Sequence, residues 1–309
     1  MLADWVPSDV VVAALGAPEA DEVHTELLRQ WGSSEVWRLS YGLRSVVVKR
    51  GSDAQAGELG AYERFVLPLG LPAPEVLYGA GDVLVLADVG RVTLEQEPTA
   101  EGFVAAAELV ARLREKTLDE PTDFPPERVE ELAARIERAG QGGSAAPSRT
   151  GEGSCSGRAS GSAERGGAAR LGGVEVGRLV RAVERVHRDA GVGVVHGDFV
   201  PKNLVSDGTR WSVVDWPVAY AAPHLGDLYT LVREAVALGY DRGPIVARYV
   251  EVSGADPFLV DRQLLVGGAC FCLLALTFVV EEGIRTIPGS EAWIAPLHSE
   301  LTDLIEQLS

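Results

Sequence analysis

Two short segments within the first hundred residues have the apolar and polar patterns of β-strands. Residues 35–39 read Glu-Val-Trp-Arg-Leu, and after a short turn residues 45–49 read Ser-Val-Val-Val-Lys. Two such segments joined by a turn predict a β-hairpin that ends at Lys49. Residues 83–90, an apolar segment that runs into a glycine, predict a further strand. Residues 55–66, between the hairpin and this strand, predict a helix.

The rest of the chain has mainly helical patterns. In residues 100–118 and 178–188 apolar side chains recur every three or four positions, which predicts amphipathic helices. Residues 264–280 form an apolar run without a charge, near the lower length limit of a membrane span. Because charged residues flank it closely on both sides, we interpret it as the buried helix of a large helical domain and expect no membrane contact.

Residues 140–173 differ in composition from the rest. They are rich in Gly, Ser, Ala and Arg and contain almost no large apolar side chain. Such a segment cannot bury enough surface to offset the entropy lost on ordering, so we predict a disordered insert. It could be a linker, a regulatory insert or a tolerated insertion, and the sequence leaves these three open.

The strongest chemical signal lies after the insert. His196-Gly197-Asp198 is followed by Asn203 and then, at the end of an apolar run, by Asp215. Short apolar segments around these residues predict a strand, a loop and a hairpin. An Asp that can orient or deprotonate a hydroxyl, with an amide and a carboxylate that can hold Mg²⁺, is a set suited to phosphoryl transfer. The alternative is a turn-rich hairpin with solvated polar residues.

This motif resembles that of the aminoglycoside phosphotransferase superfamily, small-molecule kinases with a protein-kinase-like fold. The resemblance implies that Asp198 is the catalytic base, that Asn203 and Asp215 are ligands of Mg²⁺, and that ATP or GTP is the co-substrate. It also implies an α+β, two-lobe fold. Residues 1–90 would form a small N-terminal antiparallel-sheet lobe that binds the nucleotide, and residues 91–309 a larger, mainly helical lobe for catalysis and acceptor binding.

The resemblance extends to a lysine in the N-terminal lobe. Lys49, the only lysine before Lys116, would pair with the α- and β-phosphates and be held by a glutamate on a helix. Glu58 is favoured for that glutamate because an aromatic residue, Tyr62, follows four positions later, and Glu63 remains the alternative. A solvated lysine at a strand end is the simpler interpretation of Lys49.

Two further nucleotide contacts are implied by the resemblance. Small residues between the first strands would let backbone N–H groups approach the phosphates, although no G-x-G-x-x-G motif is present. The segment after residue 85 would be the hinge whose backbone meets the adenine edge. The phosphate loop would contain Gly32, Ser33 and Ser34, and the hinge Leu86, Ala87 and Asp88.

Three other residues near the motif have implied or open roles. His196 would brace the catalytic loop, and Asp227 would anchor it, although an Asp in the first turn of a helix is also favourable by itself. Lys202 either reaches the transferred phosphoryl group or is solvated.

The net charge and the cysteine content limit which binding partners and which cellular compartment we expect. The formal net charge of -17 argues against nucleic acid, which requires clustered Lys and Arg, and suits a cationic acceptor. Three cysteines cannot form a disulfide framework, and two of them lie in an apolar run. The N-terminal segment also lacks the Lys or Arg that precedes the apolar part of a signal peptide. Both features predict a protein of the reducing cytoplasm.

Two classes of function remain at this stage. The presence of Lys49, Asp198, Asn203 and Asp215 favours an active kinase that phosphorylates a hydroxyl of a small molecule. The alternative is a catalytically idle, nucleotide-binding regulator of the same fold, with a membrane-associated helical protein as a distant third. The acceptor remains open among aminoglycosides, macrolides, choline, sugars and homoserine, and so does the oligomeric state.

Overall fold

The computed structural model of the chain describes residues 2–31, 34–51, 56–142 and 172–308. Most of the insert predicted for 140–173 lies outside the described residues, and so do Gly32 and Ser33 of the predicted phosphate loop.

The chain forms two compact units, each made of two segments. The first unit comprises Met1–Phe124 and Val186–Gly267, and the second comprises Pro125–Arg185 and Gly268–Ser309. The predicted N-terminal lobe and the His196–Asp215 motif both belong to the first unit.

A five-stranded antiparallel sheet is the main element of the N-terminal half of the first unit. Its spatial order is β1-β2-β3-β5-β4. The predicted hairpin is confirmed as β2 and β3, and the predicted strand after residue 82 as β5. The strands are β1 (His24–Trp31), β2 (Ser34–Tyr41), β3 (Arg44–Arg50), β4 (Val76–Ala80) and β5 (Val83–Ala87).

The two faces of this sheet have different surroundings. Because side chains alternate along a strand, Val46 and Val48 of β3 are buried in a core with Val11 of helix α1 (Ser8–Leu15). Val47 and Lys49 lie on the opposite face, which lines a cleft. The alternation in residues 45–49 therefore directs Lys49 away from the core formed with α1.

Strand β1 departs from regular pairing with β2. Leu27 pairs with Trp37, and Arg29 pairs with Val36, so Leu28 is an extra residue. This is a β-bulge, which changes the direction of the side chains that follow it.

A helical segment follows β3 where residues 55–66 predict one. Its described part runs from Glu58 to Leu69 as a short helix, a π-helical turn and a last helical turn, and it ends at Gly70 with φ +62°. Tyr62 and Phe65 pack into the main core of the first unit. The segments are α2 (Glu58–Ala61), the π-turn Tyr62–Val66 and α3 (Leu67–Leu69).

Two small sheets carry the motif residues. One has the order β10-β7 and the other β6-β8-β9. A 3₁₀ turn at Pro201–Asn203 leads into β8. The strands are β6 (Val92–Thr93), β7 (Gly193–Val195), β8 (Leu204–Ser206), β9 (Trp211–Val213) and β10 (Tyr220–Ala222).

Helices make up most of the remaining chain. The Thr99 side chain caps α4 by accepting a hydrogen bond from Gly102 N. The helices predicted at 100–118 and 178–188 are confirmed as α4 and α6, although α4 ends earlier and α6 begins earlier. The helices are α4 (Ala100–Leu113), α5 (Pro126–Gly142), α6 (Gly173–Asp189), α7 (Gly226–Ala237), α8 (Arg242–Ser253), α9 (Pro257–Phe278), α10 (Ile284–Thr286) and α11 (Ile294–Gln307), with a π-turn at Val279–Gly283 and a 3₁₀ turn at Ser290–Trp293.

The apolar run at 264–280 lies within a continuous helical segment, Pro257–Thr286. By length and composition this segment could cross a membrane, but 67% of its most apolar window is buried within the protein. The core helix of a soluble protein meets the same criteria, so the segment alone does not indicate a membrane protein.

Candidate active site

The catalytic loop is held in place by Asp227, in the first turn of α7. One carboxylate oxygen accepts the His196 N–H at 2.7 Å and the other accepts the Gly197 N–H at 3.0 Å. Burial raises the pKa of Asp227 above its ordinary value, and these two donors offset part of that effect. The Asp227 side chain thus fixes the backbone of the loop immediately before Asp198.

The first two motif residues shape the loop. His196 is fully buried, its Nε2 lies 3.1 Å from Val214 O, and its ring packs edge-on against Trp216 at 4.7 Å. Gly197 has φ +84°, and a Cβ there would lie 2.6 Å from Val218 O. A side chain is therefore excluded at position 197 by both backbone conformation and space.

Asp198 and Asn203 form a hydrogen-bonded pair. Asn203 Nδ2 donates to Asp198 Oδ2 and to Asp198 O, both at 2.9 Å. Lys202 Nζ lies 3.2 Å from the same Oδ2. No donor in the described part of the chain contacts Asp198 Oδ1. Since the side chain is 37% exposed, Oδ1 can accept a hydrogen bond from a molecule outside the protein.

Asp215 follows β9 in an unusual backbone conformation. Its φ is +72°, the only positive value outside glycine among the described residues. Non-glycine residues in this region are uncommon and concentrate at functional sites. The Val214 N–H donates to Asn203 O at 3.0 Å, so the backbone next to Asp215 is bonded directly to that of Asn203.

Lys49 lies between two carboxylates. Its Nζ pairs with Glu58 Oε2 and lies 2.9 Å from Asp215 Oδ1. Burial by itself would lower the pKa of Lys49, but the charges of Glu58 and Asp215 outweigh it and raise the pKa above the ordinary value. Glu63, the alternative partner, is exposed. Lys49 therefore carries a permanent positive charge.

The positive charge of Lys49 acts in turn on Asp215. Burial would raise its pKa, but Lys49, with smaller effects from Arg29 and His196, lowers the pKa of Asp215 to about 2. Asp215 is consequently an anion at any physiological pH, as a metal ligand has to be.

Arg29 is a site residue that sequence reasoning missed. Its Nη1 lies 3.4 Å from Asp215 Oδ2. It lies on β1 directly after the bulged residue Leu28, and a bulge has no signature in an alternation pattern. No sequence signal could have singled out Arg29.

A cleft of about 450 Å³ brings together most of the predicted site residues. Glu58 and Asp198 are not part of its lining. Ser34 does not line the cleft either. Together with Lys49 and Glu58, it lines a neighbouring cavity of about 30 Å³. The predicted residues that line the cleft are Lys49, Leu86, Ala87, Asp88, Asn203 and Asp215.

The Asp88 carboxylate is engaged within the protein. It accepts hydrogen bonds from Arg38 Nε and Ser45 Oγ, both at 2.7 Å, and from Gly90 N at 3.1 Å. Burial opposes ionisation, but these bonds outweigh it and lower the pKa of Asp88. The Asp88 carboxylate is therefore not available to a ligand. On the backbone of this segment, Ala87 N donates to Glu75 O, whereas the Val89 N–H has no partner among the described residues.

The donor set suits Mg²⁺ that arrives with a nucleotide. The described residues contain no cluster of three or more His, Cys, Asp or Glu side chains that could hold a metal ion alone. Because Asn203 Nδ2 donates to Asp198, its Oδ1 is left as an acceptor, and Asp215 supplies a carboxylate. Mg²⁺ is commonly held by one or two protein oxygens plus phosphates, so Asn203 and Asp215 fit this ion.

Comparison with solved structures identifies the fold. An ethanolamine kinase from Plasmodium vivax superposes with a TM-score of 0.64 and 11% identity over 97% of this chain and 88% of that chain. A choline/ethanolamine kinase family protein from Mesorhizobium loti gives 0.59 and 17% over 96% and 94%. An aminoglycoside phosphotransferase bound to ADP gives 0.56 and 12% over 97% and 99%.

These likenesses confirm the predicted α+β fold, which the chain shares with these small-molecule kinase structures. No protein-family model and no curated protein sequence matches the chain.

Proposed function

We propose that the protein is a phosphotransferase that moves the γ-phosphoryl group of ATP or GTP to a hydroxyl of a small molecule. The observation that carries the proposal is the convergence of Lys49, Asn203 and Asp215 on one cleft, with Asp198 bonded to Asn203. Such chemistry asks the protein mainly for positioning and charge stabilisation, and the proposal assigns both to these residues.

The nucleotide is proposed to lie in this cleft. The Ala87 carbonyl and the Val89 N–H meet the edge of the base, and Lys49 binds the α- and β-phosphates while Glu58 holds it. Asn203 and Asp215 would hold Mg²⁺, which would supply positive charge to offset that of the phosphates. In this proposal residues 1–90 are the nucleotide-binding lobe and residues 91–309 the catalytic and acceptor-binding lobe.

Asp198 is proposed to act as the base. The O–H bond of the acceptor breaks and its proton passes to Asp198 Oδ1, while the acceptor oxygen forms a new bond to the γ-phosphorus. The bond from that phosphorus to the β–γ bridging oxygen breaks, and the nucleoside diphosphate leaves with the electron pair. Asn203 orients Asp198 through Oδ2, which keeps Oδ1 directed outward.

The acceptor class proposed is an alcohol that also carries a cationic nitrogen. The similar structures include proteins named for choline, ethanolamine and aminoglycosides, all of which fit this description. The net charge of -17 would attract such a molecule. We place the enzyme in the cytoplasm, where its co-substrate is available.

The test is release of ADP or GDP by the purified protein with Mg²⁺ and pools of amine-bearing alcohols. Asp198→Asn should lower turnover by about 10²–10⁴, the usual contribution of a general base, and leave nucleotide binding intact. Asp261→Asn makes the same chemical change on α9, where the side chain is 64% exposed, and should have no effect.

Full activity of Asp198→Asn would remove Asp198 from the mechanism. Nucleotide binding without release in any pool would favour the idle regulator, and the absence of nucleotide binding would refute the proposed function.

A further inference from the structure

We propose that Arg29 binds the phosphate chain of the nucleotide, exchanging the Asp215 carboxylate for phosphate oxygens when metal and nucleotide enter the cleft. This inference rests on the proposed function and adds to it a phosphate-binding residue on β1.

The first argument is the direction of the side chain. Alternate residues of a strand share a face, and Glu26 pairs with Arg38, both on the cleft side. Leu28 would be the next residue on that side, and Arg29 would face away from the cleft. The bulge at Leu28 brings Arg29 opposite Val36, so Leu28 and Arg29 both line the cleft. The function of this irregularity is to aim an arginine at the site.

The second argument is the charge distribution around Asp215. Lys49 takes Oδ1, and Arg29 lies 3.4 Å from Oδ2. A divalent cation bound to this carboxylate repels a guanidinium at that distance. The Lys49 side chain is 13% exposed and is also paired with Glu58, whereas that of Arg29 is 42% exposed. Of the two cations at Asp215, Arg29 is thus the more exposed.

The third argument is the new partner. The anion that enters together with the metal is the phosphate chain, and a guanidinium can donate two parallel hydrogen bonds to a phosphate group. Arg38, also at the cleft, is engaged with Asp88 and Gly90 O, and Lys202 pairs with Asp198. Arg29 can therefore add a phosphate contact to that of Lys49 without breaking either of these pairs.

The test is isothermal titration of the full-length protein with Mg²⁺ and either a non-hydrolysable ATP analogue or adenosine. Arg29→Met should weaken binding of the analogue about tenfold or more, the effect of losing one charge-assisted contact, and leave adenosine binding unchanged. Arg29→Lys keeps the charge but cannot donate two parallel hydrogen bonds. Its affinity for the analogue should lie between those of the wild type and Arg29→Met. Arg44→Met, the same change at the exposed first residue of β3, is the control and should match the wild type.

The outcomes separate this inference from the proposed function. If Arg29→Met binds the analogue as the wild type does, or weakens adenosine binding equally, Arg29 is not a phosphate ligand, although the proposed function stands. If the wild type binds neither molecule, the proposed function fails and the inference fails with it.

Discussion

The Lys49–Glu58 pair allows a matched comparison on a single helical segment. Glu58 and Glu63 lie five residues apart, but Glu58 is 4% exposed and paired with Lys49, whereas Glu63 is exposed. Exchanging each in turn for glutamine removes the same charge and keeps nearly the same shape. We expect Glu58→Gln to destabilise the protein and Glu63→Gln to leave its stability almost unchanged.

The loss of stability expected for Glu58→Gln depends on the partner that Lys49 keeps. Removing one partner of a buried ion pair costs about 3–5 kcal/mol, because the other charge is left buried and uncompensated. Lys49 keeps Asp215 at 2.9 Å, so the loss for Glu58→Gln should be near the lower end, about 3 kcal/mol. With one of the two charges that raise it removed, the pKa of Lys49 should also fall.

The assay is urea unfolding of the wild type and both variants at pH 7, with nucleotide turnover measured on the same samples. Glu58→Gln should show a lower unfolding midpoint and a slower turnover, because Lys49 is no longer held in position. Glu63→Gln should stay within about 0.5 kcal/mol of the wild type, as surface exchanges usually do. Equal unfolding free energies for the two variants would refute the argument, since burial of the Lys49–Glu58 pair would then have no energetic consequence.

Two further predictions concern stability. Burial, with smaller effects from Arg114 and His187, lowers the pKa of His224 from 6.5 to about 3. Between these pH values the unfolded chain binds the proton and the folded one does not, so acidification from pH 7 to pH 5 should reduce the free energy of unfolding by about 2 kcal/mol. His224→Asn should lack this part of the pH dependence in denaturant titrations at the two pH values, and an unchanged pH slope would contradict the reasoning. Gly90→Ala should cost more than about 2 kcal/mol in thermal or urea unfolding, because φ is +130° and a Cβ would lie 2.1 Å from Ser206 O. Gly42→Ala, with φ +58° and open space around it, should cost only about 1 kcal/mol, and similar losses for the two would show that the contact with Ser206 does not matter.

Local patterns were sufficient for the elements whose own sequence determines them. The β2–β3 hairpin follows from alternation and a turn, and the buried helical segment from an apolar run. Strand β1 was missed, because the bulge at Leu28 interrupts its alternation and only pairing with β2 defines it. The helix Pro126–Gly142 was missed as well, since its C-terminal end runs into the glycine-rich composition that predicts disorder.

The same distinction holds within the site. Lys49 is recognisable as a lysine at the end of a hairpin. The side-chain role of Asp88 is not recognisable, because it depends on Arg38 and Ser45, which are distant in sequence and adjacent only through the pairing of β2, β3 and β5. Arg29 meets Asp215 across 186 positions. Contacts of this kind depend on strand register, and register is a property of the assembled sheet.

The spacing from Asn203 to Asp215, in contrast, is a local quantity, and the structure gives its physical meaning. Strand β8 begins directly after Asn203 and β9 ends two residues before Asp215, with Leu204 paired to Val213. Asn203 therefore lies opposite Val214, and the Val214 N–H donates to the Asn203 carbonyl at 3.0 Å. The interval between the two proposed metal ligands is thus the length of one short hairpin, whose open end brings them together. An insertion or deletion within β8 or β9 would shift the register and turn one ligand away from the other, whereas a change in the exposed turn between them would preserve the pair. For this reason the site could be predicted from the spacing between Asn203 and Asp215, whereas the composition of the loop alone would not have indicated it.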